Sequence, residues 1–415
     1  GCTTVLVSAD LSAHEQRTVL DVTGGVEWLG DLHLEAEDQL NANRIASEER
    51  FAHASTDGAP SVILMTSGTA GSPKGVHLTL HALIERVRLN REHIPAADME
   101  RTLCVLPAFF GHGLIGNCLT PLSVGSTLTL LDRPSVAEIA TIGALIDEHQ
   151  ITFMSSVPSF WKVARKVSPK PKQSTLRRVH VGSAPLTAQD AEGVAEWCGT
   201  RTILNMYGMT EAANWISGGN ALAEREEDPA PPDGYVGHPW GGKFAILDRD
   251  GSRLSEGRGE VLLQTPSIME GYWKAPDKTD AAFVDGWFRT GDIGELDTQN
   301  GLRLVGRTKW EINRSGMKIQ AEEVDALLER HPAVLEACAF GVPDTVSGEA
   351  VAAAIVLNDG GNVSTEDIRR WCRNEARRDV VPIWLQQLSD LPKNDRGKLD
   401  RAKTREIALA LQAGP

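Results

Sequence analysis

Ten consecutive residues, Thr66-Ser67-Gly68-Thr69-Ala70-Gly71-Ser72-Pro73-Lys74-Gly75, follow directly on the β-rich run SVILM. Small residues let backbone N–H groups approach an anion closely, hydroxyls add donors, and the Lys74 ammonium offsets negative charge. The chemistry this stretch offers is phosphate binding. It is not a Walker loop, since GxxxxGK[ST] is absent, and a plain Gly/Ser turn would account for an arbitrary run of this composition. Farther along, Asn205-Met206-Tyr207-Gly208-Met209-Thr210-Glu211 puts an aromatic face, a neutral hydroxyl and a hard carboxylate oxygen close together. Gly286-Trp287-Phe288-Arg289-Thr290-Gly291-Asp292 ends on a carboxylate, a good acceptor for paired hydroxyls, and Gly306-Arg307 follows it. Near the end, Leu391-Pro392-Lys393-Asn394-Asp395-Arg396-Gly397-Lys398-Leu399 carries Lys398, which can pair with a carboxylate and with phosphate oxygens at once. A core tyrosine, a solvated turn and a basic tail would each explain one of these segments taken alone. On that reading Lys393, Arg396, Arg401 and Lys403 are solvated charges.

In their order along the chain these segments resemble those of acyl-adenylate-forming enzymes, the superfamily of acyl-CoA synthetases, peptide-synthetase adenylation domains and luciferases. The resemblance spans roughly residues 60–403. It implies that Thr66, Ser67, Gly68, Thr69 and Lys74 hold the phosphates of ATP. Tyr207 would lie beside adenine, with Ser183, Ala184 and Pro185 of the turn Gly182-Ser183-Ala184-Pro185-Leu186 lining the same pocket. Thr210 would meet the α-phosphate, Glu211 Mg2+, and Asp292 and Arg307 the ribose. Lys398 would be the adenylation lysine, with Thr210 and Glu211 the further catalytic residues. Phe110 and His112, in Pro107-Ala108-Phe109-Phe110-Gly111-His112-Gly113-Leu114, and Gly182 would face the acid. Two half-reactions follow: a carboxylate attacks ATP to give an acyl-adenylate and pyrophosphate, then a thiol displaces AMP. Coenzyme A is the expected thiol, a phosphopantetheine on an acyl carrier protein the other. Lys309 matches the hinge about which a small C-terminal domain turns between steps, and Gly316 the segment that then reaches the pantetheine tunnel.

Some positions depart from that pattern. About sixty residues precede the glycine-rich loop where the family carries many more, so the N-terminal domain reads as shortened at its start. Trp310 stands where an acidic residue is common, and Lys318-Ile319-Gln320-Ala321-Glu322-Glu323 lacks a proline often found there. Residues 107–114 contain no aspartate to pair an α-ammonium, whose burial unpaired would be costly, so an apolar, aryl or fatty acid is expected rather than an amino acid. Loading of a carrier protein, amide or ester formation, and a non-catalytic nucleotide-binding homologue are the alternatives.

The elements needed to hold these residues are legible in the pattern. SVILM, RTLCVLP, STLTLL, ITFMSS, RRVHVGS and RTILNMYG read as strands alternating with amphipathic stretches such as VAEIATIGALIDEH and TAQDAEGVAEWC, an α/β arrangement with a mostly parallel sheet. From 234 to 304 the chain turns β-rich, with Asp250-Gly251, Asp285-Gly286 and Asn300-Gly301 as tight turns. After Arg307 a small, mobile α+β domain is expected: a helix over 321–331, strands at VLEACAF and EAVAAAIVL, and a helix DIRRWCRNEARR capped by Thr365. The division is therefore 1–308 and 309–415.

The 415 residues, with 41% apolar and 24% charged, suit a folded chain of two or three domains. Forty-two basic against 56 acidic side chains give a net charge of −14, which argues against a general nucleic-acid surface. Cys2, Cys104, Cys118, Cys198, Cys338 and Cys372 contain no CxxC pair, so neither a zinc site nor a disulfide scaffold is expected. Residues 102–131 lack Asp, Glu, Lys and Arg, but Pro107, Pro121 and four glycines break them into a buried strand–loop–helix rather than a membrane span. The start, GCTTVLVSAD, does not read as a signal peptide. A cytoplasmic enzyme is expected, with homo-oligomers compatible with the resemblance.

Overall fold

The computed structural model describes residues 3–6, 61–66, 74–131, 133–173, 175–223, 229–315, 317–358, 363–393 and 398–413. Within these, four sheets organise the chain. The six-stranded sheet runs Thr127–Leu130, Arg101–Cys104, Phe153–Ser156, Arg178–Gly182, Ile203–Met209 and Asn214–Asn220, with the last strand antiparallel and the others parallel. Parallel strands need crossovers, and the helices Ile142–His149, Pro158–Val167 and Ala188–Cys198 supply them. Their buried faces, with Ile142, Ile146, Trp161, Ala164, Val194 and Trp197, close the largest apolar core against Leu103, Met154 and Val179.

The segment SVILM does not join that sheet. Ser61–Thr66 pairs antiparallel with Lys74–Thr79 in a four-stranded sheet that also takes in Thr3–Leu6 and Gly271–Tyr272. Thr66 is opposite Lys74 in the register, so the ends of the glycine-rich loop are pinned by a hairpin. The expected β-rich region is a seven-stranded antiparallel sheet in which Leu302–Arg307, Trp287–Leu296, Gly257–Gln264 and Lys243–Leu247 are successive neighbours. The last sheet starts at Glu311, just past a short 3-10 turn at Thr308–Trp310, and is built on the long hairpin Val334–Asp344/Gly348–Leu357. Helices Ala321–Glu329 and Thr365–Glu375 share one apolar core with this hairpin.

Local expectations are corrected at three points. The helix expected over 136–149 is two, Val136–Ile139 and Ile142–His149: a Ser135/Glu138 capping box closes the first, and the Thr141 hydroxyl bonds back to the Glu138 carbonyl at 2.8 Å. Ser364, not Thr365, caps the helix that follows, accepting from the Asp367 N–H at 3.1 Å; Thr365 is already its first residue. Arg401 is no solvated tail charge. It opens the helix Arg401–Ala413, is 7% exposed, pairs with Asp325 at 2.7 Å and donates to the Ala339 carbonyl at 2.6 Å. Lys393, too, is held by Glu336 at 2.9 Å.

One interior cation ties the N-terminal helix to the β-rich sheet. Arg86, on Leu80–His93, is fully buried and donates to the Ser267 hydroxyl, the Thr265 hydroxyl and the Trp240 carbonyl at 2.6–3.1 Å. Burial pulls its pKa down to about 9, which leaves it charged at neutral pH. Its fork geometry fixes three partners at once, which an ammonium or an apolar side chain cannot do. Arg86→Met strands those polar groups and should cost about 3 kcal/mol; a urea midpoint unchanged from wild type would contradict that.

Candidate active site

Two clusters sit where the sheets meet. In the first, Gly271–Tyr272 pairs with Lys74–Thr79, and the Trp273 N–H donates to the Gly75 carbonyl at 2.7 Å. This brings the Lys74 ammonium to 4.5 Å from the Tyr272 ring centroid, a cation–π contact. The Tyr272 hydroxyl donates to Glu211 Oε1 at 3.0 Å, and the Met269 N–H binds the Glu211 carbonyl at 2.6 Å. Tyr272 thus joins the lysine of the glycine-rich stretch to the acid of the Tyr207–Glu211 stretch, a link between distant segments that no local stretch of sequence shows. Burial first, then the Glu211 charge, pushes its phenol pKa up, so it stays a donor.

In the second, the Tyr207 hydroxyl donates to Asp292 Oδ2 at 2.6 Å and the Arg307 Nε to Asp292 Oδ1 at 2.8 Å. Asp292 faces Arg307 in the antiparallel register, while Tyr207 comes from the parallel sheet. Asp292 is 5% exposed and Tyr207 6%, and Arg307 is half-exposed. Burial, with Asp292 adding to it, lifts the Tyr207 pKa well above the usual phenol value; Asp292 in turn raises that of Arg307. Each carboxylate oxygen keeps a second lone pair for another donor. The Tyr207 ring packs 6.3 Å from Phe244.

His112 opens an eight-residue π-helical stretch, His112–Leu119. Gly113 makes this turn feasible, because a Cβ there would lie 2.0 Å from the Pro107 carbonyl oxygen. His112 Nδ1 is 2.9 Å from the Ser183 hydroxyl and Nε2 2.7 Å from the Ser155 hydroxyl. Ser183 takes a left-handed φ of 68°, strained for a serine, in the turn after the strand Arg178–Gly182. Gly182 is packed on Met206, 2.9 Å from its carbonyl oxygen to a built Cβ. Burial, then the Lys398 charge, lowers the His112 pKa to about 3, so the ring is neutral, donating to one serine and accepting from the other. Phe110 is buried, its ring edge-on to His112 at 6.4 Å.

Lys398 directly precedes Leu399, which bridges to Lys393, and the Asp400 N–H donates to the Pro392 carbonyl at 2.8 Å. At the junction, the Lys309 ammonium lies 5.0 Å over the Trp310 ring and Arg401 5.8 Å from it. Partial burial and then the Arg307 charge lower the Lys309 pKa. Thr66 accordingly pairs with the Lys74 carbonyl at 3.4 Å, and Thr210 begins a 3-10 turn ahead of Glu211. Ala184 is half-buried and Pro185 exposed. Ser67, Gly68, Thr69 and Gly316 lie outside the described residues. Sequence reasoning missed Ser155 and Trp215 as well as Tyr272; Ser155 is the strand neighbour of His180, and no motif marks it.

Among the described residues no group of three His, Cys, Asp or Glu could hold a metal ion by itself. A lone hard oxygen at Glu211, braced by a phenol, fits Mg2+ carried mainly by nucleotide phosphates. Cys104, Cys118, Cys198, Cys338 and Cys372 are buried. No described helix is long and apolar enough to cross a membrane.

Comparison with known proteins agrees with this geometry. Residues 1–273 match the AMP-binding enzyme family and 323–398 the AMP-binding enzyme C-terminal domain. The chain is 36% identical over 351 residues to an oxalate–CoA ligase of Arabidopsis thaliana, covering 83% of this chain and 66% of that protein. It is 33% identical over 352 residues to a sulfoacetate–CoA ligase of Cupriavidus necator, with coverage of 83% and 66%. The chain therefore spans just under two thirds of these relatives' length, 66%. The structure of o-succinylbenzoate CoA synthetase from Bacillus subtilis with its acyl-adenylate superposes with a TM-score of 0.79 at 26% identity, over 97% of this chain and 82% of that one.

The neutral His112 has a consequence for acid stability. In the unfolded chain an imidazole takes up a proton near 6.5; folded, it does not until about 3. The unfolded state then binds more protons, so stability falls as pH drops through that window, by about 1.4 kcal/mol per unit. His112→Asn should show a urea midpoint less sensitive to acid between pH 6.5 and 4.5 than wild type. Equal sensitivity would mean the ring is charged in the fold.

Proposed function

Because the chain belongs to the AMP-binding enzyme family, we propose that it uses ATP to convert a carboxylic acid to an acyl-adenylate and pyrophosphate, then passes the acyl group to the thiol of coenzyme A. The observation that carries this reading is that two polar groups drawn from separate stretches of the chain, Lys74–Tyr272–Glu211 and Tyr207–Asp292–Arg307, stand at the junction of the sheets. That the relatives are named as CoA ligases supports coenzyme A as acceptor.

Each residue then has a task its surroundings permit. Lys74 and Thr66, with Ser67, Gly68 and Thr69, hold the phosphates. Asp292 accepts from ribose hydroxyls through its free lone pairs while Tyr207 and Arg307 keep it oriented. The Tyr207 ring, with Ser183, Ala184 and Pro185, borders the adenine. Glu211, steered by Tyr272, holds Mg2+, whose charge neutralises phosphate oxygens. Thr210 donates to the α-phosphate. Lys398 draws the acid's carboxylate and the α-phosphate together and stabilises the charge that builds as oxygen attacks phosphorus. A neutral His112 adds no second cation and no proton to the acid, leaving its carboxylate nucleophilic.

The reading includes Lys309 as the hinge dividing 1–308 from 309–415, Gly316 as the later thiol-tunnel contact, and a cytoplasmic, reducing location. A phosphopantetheine carrier protein is the other thiol it accommodates, separable by product analysis with and without coenzyme A. Lys398→Ala should reduce carboxylate-dependent ATP–pyrophosphate exchange by about 10²–10³-fold while ATP affinity changes little. Undiminished exchange in that variant would defeat the assignment.

A further inference from the structure

Behind His112 the structure holds a wall of rings and unpartnered polar atoms that the proposed chemistry does not use. The Trp215 indole, 2% exposed, meets the His112 ring edge-on at 5.6 Å and the His180 ring at 4.8 Å. Its far edge packs on Gly116 of the π-helical stretch, where an added Cβ would lie 2.8 Å from Trp215 Cζ2 and 2.4 Å from Asn214 Nδ2. Phe153 closes the other side of His180 at 4.9 Å. An acid entering beside His112 would therefore meet the indole behind that ring, which a long alkyl chain or an aryl ring would have to displace.

The same wall is polar where it should be greasy for such chains. Trp215 Nε1, Asn214 Nδ2, both nitrogens of His180 and the hydroxyls of Ser156 and Ser217 are buried with no hydrogen-bond partner among the described residues. Asn214, Ser217 and His180 are 5% exposed or less. Buried polar groups are almost always satisfied, and leaving one unpaired is costly. The first two of these are pure donors on adjacent residues, with Asn214 Nδ2 and the carbon edge of the Trp215 ring both against Gly116. What they lack is an oxygen acceptor. A site built to hydrogen-bond an oxygen also rejects analogues without one, because its donors would stay unpaired.

We propose that Trp215 and Asn214 set acid specificity, and that the substrate is a short carboxylic acid bearing a second oxygen function that accepts from Trp215 Nε1 and Asn214 Nδ2. This rests on the ligase reading above and names its substrate class. It differs from the apolar or aryl acid expected from sequence: lack of an aspartate disfavours an ammonium group, but is silent on whether the acid's far end is hydrocarbon or oxygen. Asn214 has a positive φ of 134°, an uncommon conformation for a side chain other than glycine, and it follows Ala213 at 61°. The backbone is thus bent at the point where the donor is delivered.

The test is ATP–pyrophosphate exchange by the whole chain with acetate, malonate, glycolate, hexanoate and benzoate, in wild type, Trp215→Phe and Trp215→Ala. Wild type should prefer malonate or glycolate over hexanoate and benzoate by kcat/KM. Trp215→Phe keeps the ring and loses the N–H, so KM for the preferred oxygenated acid should rise about tenfold with acetate changed by less than about twofold. Trp215→Ala should gain hexanoate activity; if it does not fold, the Phe variant alone decides. Higher wild-type kcat/KM for hexanoate or benzoate, or a Phe variant that weakens acetate and the oxygenated acid alike, would overturn the specificity proposal and leave the ligase reading standing. Exchange with none of the acids would overturn the ligase reading, and this one with it.

Discussion

A buried carboxylate has to be paired, and the site is arranged around meeting that demand for Asp292. Burial favours the neutral form of an acid, and an ionised carboxylate survives it only with donors on both oxygens. Tyr207 provides one at 2.6 Å and Arg307 the other at 2.8 Å. Because Tyr207 ends a strand of the parallel sheet while Asp292 and Arg307 face each other in the antiparallel one, this single charge also clamps two separately folded layers. Arg86 does comparable work from within the helix Leu80–His93, holding the Thr265 and Ser267 hydroxyls and the Trp240 carbonyl. These polar contacts between layers are backed by an apolar core that also spans them, with Leu64, Tyr207, Ile216, Phe244 and Val261 in one cluster.

Charged and aromatic contacts gather at the start of the C-terminal part. Arg401 pairs with Asp325 and approaches Glu322 at 3.6 Å, and its guanidinium lies over Trp310, whose ring also carries Lys309. Gly306 abuts the Gln320 side chain, where a Cβ would come within 2.5 Å of Oε1. Trp310, where an acid is common in the family, thereby gains two cations on its faces in place of an ion pair.

How much of this was legible in the sequence depended on whether a residue acts through a local motif. The loop ending at Lys74, the Tyr207–Glu211 stretch and Asp292 each sit in a contiguous stretch, so their order along the chain could be matched to a family pattern. The parallel sheet was legible too, because buried strands such as Phe153–Ser156 and Ile203–Met209 alternate with amphipathic helices. Tyr272, Ser155 and Trp215 were not, since their importance comes from which strand lies beside which: Tyr272 reaches Glu211 across 61 residues and Ser155 reaches His112 across 43. Arg401 misled for the same reason. A basic residue in a terminal segment reads as solvated until the fold sets Asp325 beside it, 76 positions away.

On the proposed reading, Lys398 belongs to the small domain but acts on the acid side of the large one, so its position follows that domain as a body. The bridge from Lys393 to Leu399 and the Asp400–Pro392 hydrogen bond fasten its stretch, and Arg401, next in line, is buried in the same body. No local rearrangement is then needed to withdraw the ammonium; moving the body is enough. On the two-step reading, that withdrawal removes the lysine's contribution to the His112 environment while the burial that dominates it stays in place. The ring therefore remains neutral in either orientation, and the acid site keeps its serine-braced geometry while the charge that drives adenylation comes and goes. Separating a fixed acid pocket from a movable cation lets one cleft serve two reactions of opposite need, one that gathers negative charge at phosphorus and one that must admit a thiol.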